Sequence, residues 1–388
     1  MHLSDFIEHP GGRIVKTPQD YRAYVPAPLE PEIELNMALI SRLSDADRAV
    51  SELAGVARTL PNPHLLIGPF MKREAVISSK IEGTQASFSD LLYFEAARMK
   101  KEQVPDVREV ANYVKAMEYG LARLSDLPMS LRFIKELHSI LMNEVRGCKS
   151  TPGEFRRSQN WIGPPGCSLS GASYVPPPAS EMKVALSDLE YYFHTETDTP
   201  PLIRLAMIHY QFESIHPFLD GNGRIGRLLT ALQLVAYDLL PQPLLYLSAF
   251  FEKNRNSYYD LLLDVSRKGA WEDWIMFFLR AVEVQSKDAV ARSDRLLELW
   301  HEYRDRLQEA RASALLLQMV DYLFEYPAIT NPMATKRLGV TPRSTQLNIE
   351  KLIASGILEE ITGGKRNRVY VAREIIGIID QENGVDDE

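Results

Sequence analysis

The most informative segment of the chain is residues 216–227, which read HPFLDGNGRIGR. Gly221 and Gly223 permit backbone conformations that direct several N–H groups at one point, and a helix is predicted to begin directly after them. Backbone N–H groups at a helix N-terminus form an anion-binding site. We therefore expect an anion-binding turn here, with phosphate as its best-suited ligand.

Four side chains of this segment carry chemistry. Arg224 and Arg227 lie three residues apart on one side of the predicted helix, where their guanidinium groups match phosphate oxygens. Two arginines so close also require an anion or an acidic partner nearby. Asp220 offers a carboxylate for Mg²⁺, and His216, with an ordinary pKa of about 6.5, can remove a proton near neutral pH. Each feature alone is usually structural, but together they predict phosphate-ester chemistry on a nucleotide.

The segment resembles the signature of Fic proteins, His-x-Phe-x-(Asp or Glu)-Gly-Asn-Gly-Arg-x-x-Arg, and matches it at every fixed position. The resemblance covers roughly residues 35–285. Within it, residues 254–259 and 271–275 resemble the later core helices of the family, and residues 153–156 and 174–178 resemble its target-docking flap. Fic enzymes transfer a nucleotide monophosphate, usually AMP from ATP, to a Ser, Thr or Tyr hydroxyl of a protein. The resemblance implies a protein adenylyltransferase that uses ATP and Mg²⁺ and has a protein substrate as its partner.

The resemblance also implies a role for each residue of the segment. His216 would deprotonate the acceptor hydroxyl, and Asp220 would hold Mg²⁺ between the α- and β-phosphates. The positions on the phosphate chain, with the last at the γ-phosphate, would be Gly221, Asn222, Gly223, Arg224 and Arg227. Tyr259 and Leu262 fall where the family lines its adenine pocket, and core packing is an equally open explanation for both.

A second motif lies earlier in the chain, where residues 78–83 read SSKIEG. By itself it is a helix end with Gly83 as the cap residue, and Glu82 is then a solvated charge. A carboxylate at a helix C-terminus opposes the helix dipole, so a compensating contact is expected. The inhibitory helix of the Fic family has the pattern (Ser or Thr)-x-x-x-Glu-(Gly or Asn), which Ser78, Glu82 and Gly83 fit. The resemblance implies that Glu82 pairs with Arg227 and inhibits transfer.

The fold class predicted from the whole sequence is mainly α. Helical periodicity dominates, except where Gly and Pro residues with short β-prone pairs predict a two-stranded flap. A segment rich in Pro and aromatic residues predicts an extended arm before the first helix. Four units are predicted. An N-terminal arm and helical region with the inhibitory motif covers residues 1–100, and a Fic helical core covers residues 101–284, with a small β-hairpin flap at about 153–178. A linker helix covers residues 285–311, and a winged-helix (α+β) domain covers residues 312–388.

The last of these units has the element order of a winged helix, three helices followed by a β-hairpin. Its candidate DNA contacts are Arg343, Ser344, Gln346 and Lys351 on the third helix and residues 365–368 at the wing tip. Residues 312–388 contain 8 Lys and Arg against 11 Asp and Glu, and a net charge of −3 is poor for DNA affinity. DNA binding and a protein-docking or dimerising role remain equally open.

Composition excludes several other classes of protein. The chain of 388 residues is 45% hydrophobic and 25% charged, as in a globular protein, and its net charge of −8 argues against a chain-wide nucleic-acid coat. No apolar run approaches the length of a membrane-spanning helix, so no membrane partner is expected. The acidic first residues lack the features of a secretory signal, which makes the cytoplasm the expected location. Cys148 and Cys167 cannot by themselves form a disulfide framework or a four-ligand zinc site.

Two other functions remain open from the sequence. The same site in the Fic family can remove AMP or transfer another phosphate-containing group. From a different class, the chain would be a DNA-binding regulator whose Fic core senses nucleotide, although a sensor has no need of His216. Self-modification and a homodimer are further expectations.

Overall fold

The structure is a computed structural model of the 388-residue chain. It describes residues 6, 11–17, 19–59, 64–97, 105–145, 151–164, 166–309, 313–364 and 367–381. Three features of the sequence lie outside the described residues, namely the acidic first residues, Cys148 and the wing-tip pair Lys365 and Arg366.

Helices make up most of the described chain, which confirms the mainly α prediction. Those within the described ranges are α1 (Met37–Thr59), α2 (His64–Ile81), α3 (Phe88–Ala97), α4 (Pro105–Arg123), α5 (Leu131–Leu141), α6 (Ala179–His194), α7 (Pro201–Ile215), α8 (Asn222–Ala236), α9 (Ser248–Lys253), α10 (Arg255–Lys268), α11 (Trp271–Glu309), α12 (Ala314–Glu325), α13 (Asn331–Leu338), α14 (Pro342–Ala354) and α15 (Arg373–Asp380). None of the helices in these ranges is long and apolar enough to cross a membrane.

Two neighbouring helices, α7 and α8, form the centre of the core. Nearly all residues of both helices are buried. The indole N–H of Trp274, on α11, donates to the carbonyl of Ala206 on α7 at 2.9 Å and fixes α11 against them. Helices that are buried on most sides lie inside the bundle, although these two also bury several polar side chains. The residues that join α7 to α8, which belong to the segment at 216–227, are therefore held from both ends.

The N-terminal arm is a β-hairpin and not a simple extended segment. Strand β1 (Gly12–Lys16) pairs antiparallel with β2 (Arg22–Pro26). The N–H of Tyr24 donates to the carbonyl of Val175 at 2.9 Å, which joins the hairpin to the flap. Pro26 is the last residue of β2, and Pro28 and Pro31 follow it, so these prolines end the pairing without preventing it.

The flap predicted at about 153–178 contains no regular strand among its described residues. One isolated antiparallel bridge joins Ile162 to Tyr174, and a single 3-10 turn covers Leu169–Gly171. The two-stranded hairpin therefore needs correction to a loop closed by one bridge. The physical reason is local, because Gly163 and Pro164 follow the bridge directly and a proline cannot donate to a strand ladder.

The linker helix predicted at 285–311 does not begin at residue 285, because α11 runs without a break from Trp271 to Glu309. Its first half packs in the helical core, and its second half reaches the C-terminal unit, where the hydroxyl of Tyr303 donates to Glu374 at 2.7 Å. The charged, amphipathic pattern near residue 285 marks the point where one helix leaves the core. Residues 310–312 lie outside the described part of the chain.

The C-terminal unit combines α12, α13 and α14 with the strands β3 (Ala328–Thr330), β4 (Glu359–Glu360) and β5 (Val369–Val371). The strands form an antiparallel sheet in the order β3-β5-β4. The last helix, α15, returns to α11, where Arg292 donates to the carbonyls of Ile378 and Ile379 at 2.6 and 3.0 Å. The element order agrees with a winged helix, and that assignment stays a prediction.

Candidate active site

The loop at residues 216–221, called the motif loop below, begins in a strained conformation. His216 ends α7 with a φ of 49°, in the left-handed region that residues with a side chain rarely adopt. Its carbonyl accepts hydrogen bonds from Arg156 Nε at 2.9 Å and from Asn160 Nδ2 at 3.2 Å. Both donors come from the flap. Strain of this kind persists only where the surroundings enforce it, and it is concentrated at functional sites.

The side chain of Asn222 closes the motif loop. Its Oδ1 accepts from the N–H of Phe218 at 2.8 Å, and its Nδ2 donates to the carbonyl of Phe218 at 2.9 Å. Gly221, with a φ of 80°, makes the turn between them possible. The amide of Asn222 thus serves the loop itself. A phosphate cradle here would use the backbone N–H groups at the start of α8.

His138, on α5, holds the motif loop from the other side and was not predicted. Its Nε2 donates to the carbonyl of Asp220 at 3.0 Å, while its Nδ1 accepts from the N–H of Gly153 at 2.9 Å. The imidazole stacks on the ring of Phe218 with 3.6 Å between centroids. Burial lowers the pKa of His138 to about 4, so the ring is neutral at pH 7. His138 lies far from residues 216–227 in the sequence, so no motif spacing connects the two.

The ring of His216 is placed to accept a proton. Its Nδ1 lies 3.3 Å from the carbonyl oxygen of Glu213. Because a carbonyl oxygen only accepts, Nδ1 carries the hydrogen and Nε2 keeps its lone pair. Burial lowers the pKa of His216 to about 4, and the nearby Arg156 cation makes a smaller contribution in the same direction. The ring is therefore neutral at pH 7, the form that a general base requires.

Arg156 joins the flap to the motif loop through carbonyl oxygens; the sequence placed it in the predicted flap but gave it no role in the site. Besides its bond to His216, its Nη2 donates to Pro177 at 2.6 Å and to Ile215 at 3.3 Å. The side chain is fully buried, and burial lowers its pKa to about 10. A buried guanidinium that donates to carbonyls from two separate stretches, residues 215–216 and Pro177, fixes their relative position. The flap is thus part of the site's framework.

Arg227 contacts two polar residues of the SSKIEG motif, Ser78 and Glu82. Its Nε donates to the hydroxyl of Ser78 at 2.9 Å, and its Nη2 donates to the Ser78 carbonyl at 2.9 Å and to Glu82 Oε1 at 2.7 Å. Burial alone would lower the pKa of Arg227, but the Glu82 carboxylate raises it. Burial would likewise raise the pKa of Glu82, but Arg227 lowers it below the ordinary value. The predicted contact between Glu82 and Arg227 is therefore present as an ion pair.

The Glu82 carboxylate also lies against the backbone at the start of α8. A Cβ atom on Gly223 would lie 2.3 Å from Glu82 Oε1 and 2.9 Å from Arg227 Nη1. A side chain at position 223 would therefore displace the Glu82 carboxylate or the Arg227 guanidinium. Glu82 follows the last residue of α2, and Gly83, with a φ of 95°, turns the chain away immediately afterwards. An anion thus occupies the place where the sequence predicted one.

Arg224 has a different acidic partner, Glu109 on α4, which was not predicted. Its Nη1 donates to Glu109 Oε2 at 2.9 Å, and its Nη2 lies 3.7 Å from Asp220 Oδ1. Both Arg224 and Glu109 are buried. The Nε of Arg224 is buried as well and has no hydrogen-bond partner among the described residues. A buried donor without a partner indicates that an acceptor, such as a phosphate oxygen, belongs beside it.

Asp220 is the candidate magnesium ligand. Its carboxylate is 46% exposed, and its Oδ1 accepts from the N–H of Gly221 at 2.6 Å. The described residues contain no cluster of three or more His, Cys, Asp and Glu that could hold a metal by itself. Mg²⁺ in nucleotide sites is commonly held by one or two carboxylates together with phosphate oxygens and water. An accessible single carboxylate beside an anion site fits that kind of binding.

The two residues named for an adenine pocket lie on α10. The ring of Tyr259 is 40% exposed, and the guanidinium of Arg255 lies 5.8 Å from its centroid. Leu262 is partly buried and packs against the main core. Tyr259 is accessible to a ligand, although its ring centroid also lies 5.1 Å from that of Tyr258, whereas Leu262 has a packing role. The adenine pocket remains a prediction.

Two stretches of the chain match models of known protein families. Residues 40–122 match the model described as Fic/DOC family N-terminal, and residues 128–234 match the model described as Fic/DOC family. A protein from Drosophila yakuba named "Protein adenylyltransferase Fic" is 26% identical over 305 residues, which are 73% of this chain and 57% of the relative. A protein of the same name from Aedes aegypti is 28% identical over 209 residues, 52% of this chain and 38% of the relative. The chain thus matches less than two thirds of the length of either relative.

One solved structure has the same fold over most of the chain. The crystal structure of a Fic family protein from Desulfovibrio desulfuricans G20 superposes with a TM-score of 0.58 at 17% sequence identity. The match covers 89% of this chain and 98% of that one. The similarity extends well beyond the residues that match the two family models.

Proposed function

This chain carries both regions of the Fic/DOC family, and on that premise we propose that it is a protein adenylyltransferase restrained by Glu82. It transfers AMP from ATP to a Ser, Thr or Tyr hydroxyl of a protein substrate. The observation that supports this most strongly is the anion already held at the site. The Glu82 carboxylate lies 2.7 Å from Arg227 and against Gly223, where a phosphate chain would bind.

The proposed reaction is an in-line displacement at the α-phosphorus of ATP. The acceptor oxygen forms a bond to the α-phosphorus while the bond from that phosphorus to the bridging oxygen breaks and pyrophosphate leaves. Nε2 of His216 takes the hydroxyl proton, since Nδ1 is already protonated against the Glu213 carbonyl. The strained backbone of His216, held by Arg156, fixes the direction of the ring. Most of the rate enhancement comes from positioning and from stabilisation of phosphate charge.

The phosphate groups bind through the start of α8 and the two arginines. Backbone N–H groups near Gly223 and the guanidinium of Arg227 bind phosphate oxygens, which take the position that the Glu82 carboxylate now holds. The unpartnered Nε of Arg224 supplies a further donor. Mg²⁺ at Asp220 supplies neutralisation of phosphate charge when it is bound. Once Glu82 has left, these donors are already in place, so little further reorganisation is needed.

Glu82 inhibits because it competes with phosphate for the same donors. The γ-phosphate and the carboxylate are both anions that require Arg227, and the two cannot occupy the space above Gly223 together. Ser78 strengthens the inhibited state, since it accepts two hydrogen bonds from Arg227. Removal of the carboxylate leaves Arg227 free for nucleotide.

The test is nucleotide transfer by the full chain carrying Glu82→Gly. We expect labelled AMP from α-labelled ATP to appear on protein in a cell lysate at a rate at least tenfold above that of the natural chain, because one charged competitor is removed. The matched control is the double variant with His216→Ala, which keeps the nucleotide donors and loses the base. It should bind ATP and transfer nothing above background.

Mass spectrometry of the labelled product separates the alternatives. Added mass of AMP supports the proposal, and label on the chain itself would reveal self-modification. Added phosphate alone, or loss of AMP from a modified substrate with no forward transfer, would assign another reaction to the site. A biological effect that survives His216→Ala would favour a nucleotide-sensing regulator instead.

The C-terminal unit supports docking, with DNA and protein both retained as partners. The outer face of α14 presents Arg343 and Lys351, together with Leu347, which is 52% exposed. A gel shift with genomic fragments that weakens steeply with salt would assign DNA. Association of the chain with itself, measured by sedimentation, would assign dimerisation.

A further inference from the structure

Glu109 stands outside the signature, yet it is the acidic partner of a signature arginine. Its carboxylate accepts from Arg224 Nη1 at 2.9 Å, and the two side chains are 8% and 4% exposed. Glu109 lies inside α4, so its backbone is fixed by the helix. Buried ion pairs of this kind contribute more to specific geometry than to stability.

The contact with Glu109 uses only one edge of the Arg224 guanidinium. The Nη2 group donates to Met142 Sδ at 3.8 Å and lies 3.7 Å from Asp220 Oδ1, and Nε has no partner among the described residues. Rotation of the side chain away from the motif loop would break the bond to Glu109. Glu109 therefore holds the remaining donors of Arg224 on the side of the loop where Asp220 lies.

The same carboxylate reaches the chain that follows the inhibitory motif. Glu109 Oε2 also accepts from the hydroxyl of Thr84 at 3.4 Å, and Asp106, one turn earlier on α4, accepts from the N–H of Gln85 at 2.9 Å. The first two turns of α4 thus fix the segment directly after Gly83. Glu109 therefore contacts both Arg224 and the segment that follows the inhibitory motif.

We propose that Glu109 is a positioning residue, which orients Arg224 toward the transferring phosphate and stays in place when Glu82 leaves. The inference rests on the proposed function only in assigning phosphate as the ligand of Arg224. Glu109 itself touches no nucleotide. Its effect on transfer passes entirely through Arg224.

A double-mutant cycle in the Glu82→Gly chain tests this role. Glu109→Gln keeps the shape and removes the charge, and we expect kcat for transfer to fall about tenfold, as is typical when a partner that orients a ligand group is lost. The KM for ATP should change less than about threefold, since Arg224 keeps its charge. In a chain that already carries Arg224→Ala, Glu109→Gln should have no further effect. An equal loss in both backgrounds would overturn the proposal.

Glu252→Gln is the matched control for this cycle. Glu252 also forms an ion pair, with Lys80 at 2.9 Å, but it lies on α9. Within the described part of the chain it has no hydrogen bond or ion pair with either arginine of the signature. Transfer by this variant should equal that of the parent chain. A tenfold loss here as well would show that any lost carboxylate near α2 disturbs the site, and the role of Glu109 would then not be specific.

A second measurement is independent of transfer. Hydrogen exchange at the Arg224 guanidinium, followed by NMR and assigned by its loss in Arg224→Ala, should accelerate at least tenfold in Glu109→Gln, because a buried hydrogen bond is weakened. Exchange at Arg227 should not change. Faster exchange at Arg224 without any transfer in the Glu82→Gly chain would contradict the adenylyltransferase proposal and leave the positioning role standing. Unchanged exchange at Arg224 would contradict the positioning role directly.

Discussion

The two arginines of the signature have the same chemistry, but the carboxylates that bind them are held in different ways. Arg224 and Arg227 lie one turn apart on α8, both are buried, and each donates a hydrogen bond to one carboxylate. Glu109 is held within α4 and is 8% exposed, whereas Glu82 lies past the end of α2 and is 33% exposed. One carboxylate is a fixed part of the framework, and the other can be displaced.

The position of Glu82 explains why it is the displaceable partner. It follows the last residue of α2, where the helix dipole disfavours a carboxylate. Its contact with Arg227 compensates for that, and a phosphate chain would compensate equally well. Gly83 directly after it adopts a left-handed conformation and allows the chain to pivot. Glu82 can therefore inhibit through one strong contact, with Arg227, and still be displaced by a phosphate chain.

The largest expected difference between the two pairs is in stability. Glu109→Ala leaves the buried Nη1 donor of Arg224 without an acceptor, and we expect the free energy of unfolding to fall by about 3 kcal/mol. Glu82→Ala should cost about 1 kcal/mol, because water can reach the vacated space and Arg227 keeps both bonds to Ser78. Chemical unfolding followed by tryptophan fluorescence measures both changes. Equal losses would contradict the distinction between a fixed and a displaceable carboxylate.

The two carboxylates should also titrate in opposite directions from the ordinary value of 4.5. Burial raises the pKa of Glu109 even though Arg224 opposes it, whereas Arg227 outweighs burial and lowers the pKa of Glu82. On acidification, Glu109 should take up its proton first, and Glu82 should remain ionised below pH 4.5.

The linkage to stability follows the same signs. The contribution of Glu82 is present above pH 4.5 and is lost as the pH falls through its lowered pKa. The contribution of Glu109 has the opposite sign, since its ionisation weakens the fold as the pH rises through its raised pKa. Carbon-13 NMR of the glutamate carboxyls, assigned with Glu82→Gln and Glu109→Gln, gives the order. Titration of Glu82 before Glu109 on acidification would contradict this prediction.

The smallest effect is expected from a pair on the outer face of α2. Lys80 lies two residues before Glu82 and binds Glu252 at 2.9 Å, but its side chain is 54% exposed. An exposed pair contributes about 0.5 kcal/mol or less. Lys80→Ala should therefore leave both stability and the inhibition of transfer nearly unchanged. Activation comparable to that of Glu82→Gly would show that inhibition depends on the whole end of α2, and the comparison between single pairs would fail.

Much of the fold and of the site was predictable because its signals are contiguous in sequence. Residues 216–227 and 78–83 contain their own spacing, and the contact between Glu82 and Arg227 followed from a family pattern. The helices followed from periodicity. The errors were the flap, where glycine and proline leave one bridge instead of two strands, and the linker helix, which continues α11.

Residues that support the site from a distance were not predictable. His138, Arg156 and Glu109 lie on other elements and reach the motif loop or α8 only after packing. Each belongs to a residue type that is common at surfaces, so nothing in its local sequence marks it as buried and functional. Their hydrogen bonds to backbone carbonyls or to Arg224 depend on distances that no spacing along the chain encodes.

The sequence by itself determined the local chemistry: a turn of Gly221 and Gly223 ahead of a helix, two arginines on one face, a histidine before them, and a carboxylate at the end of an earlier helix. Local geometry suffices for this because helix periodicity and glycine conformations act over a few residues. Only the tertiary structure decided that Glu109 is the fixed partner and Glu82 the displaceable one. That choice depends on burial and on the element that carries each side chain, and both are set by the packing of helices far apart in sequence.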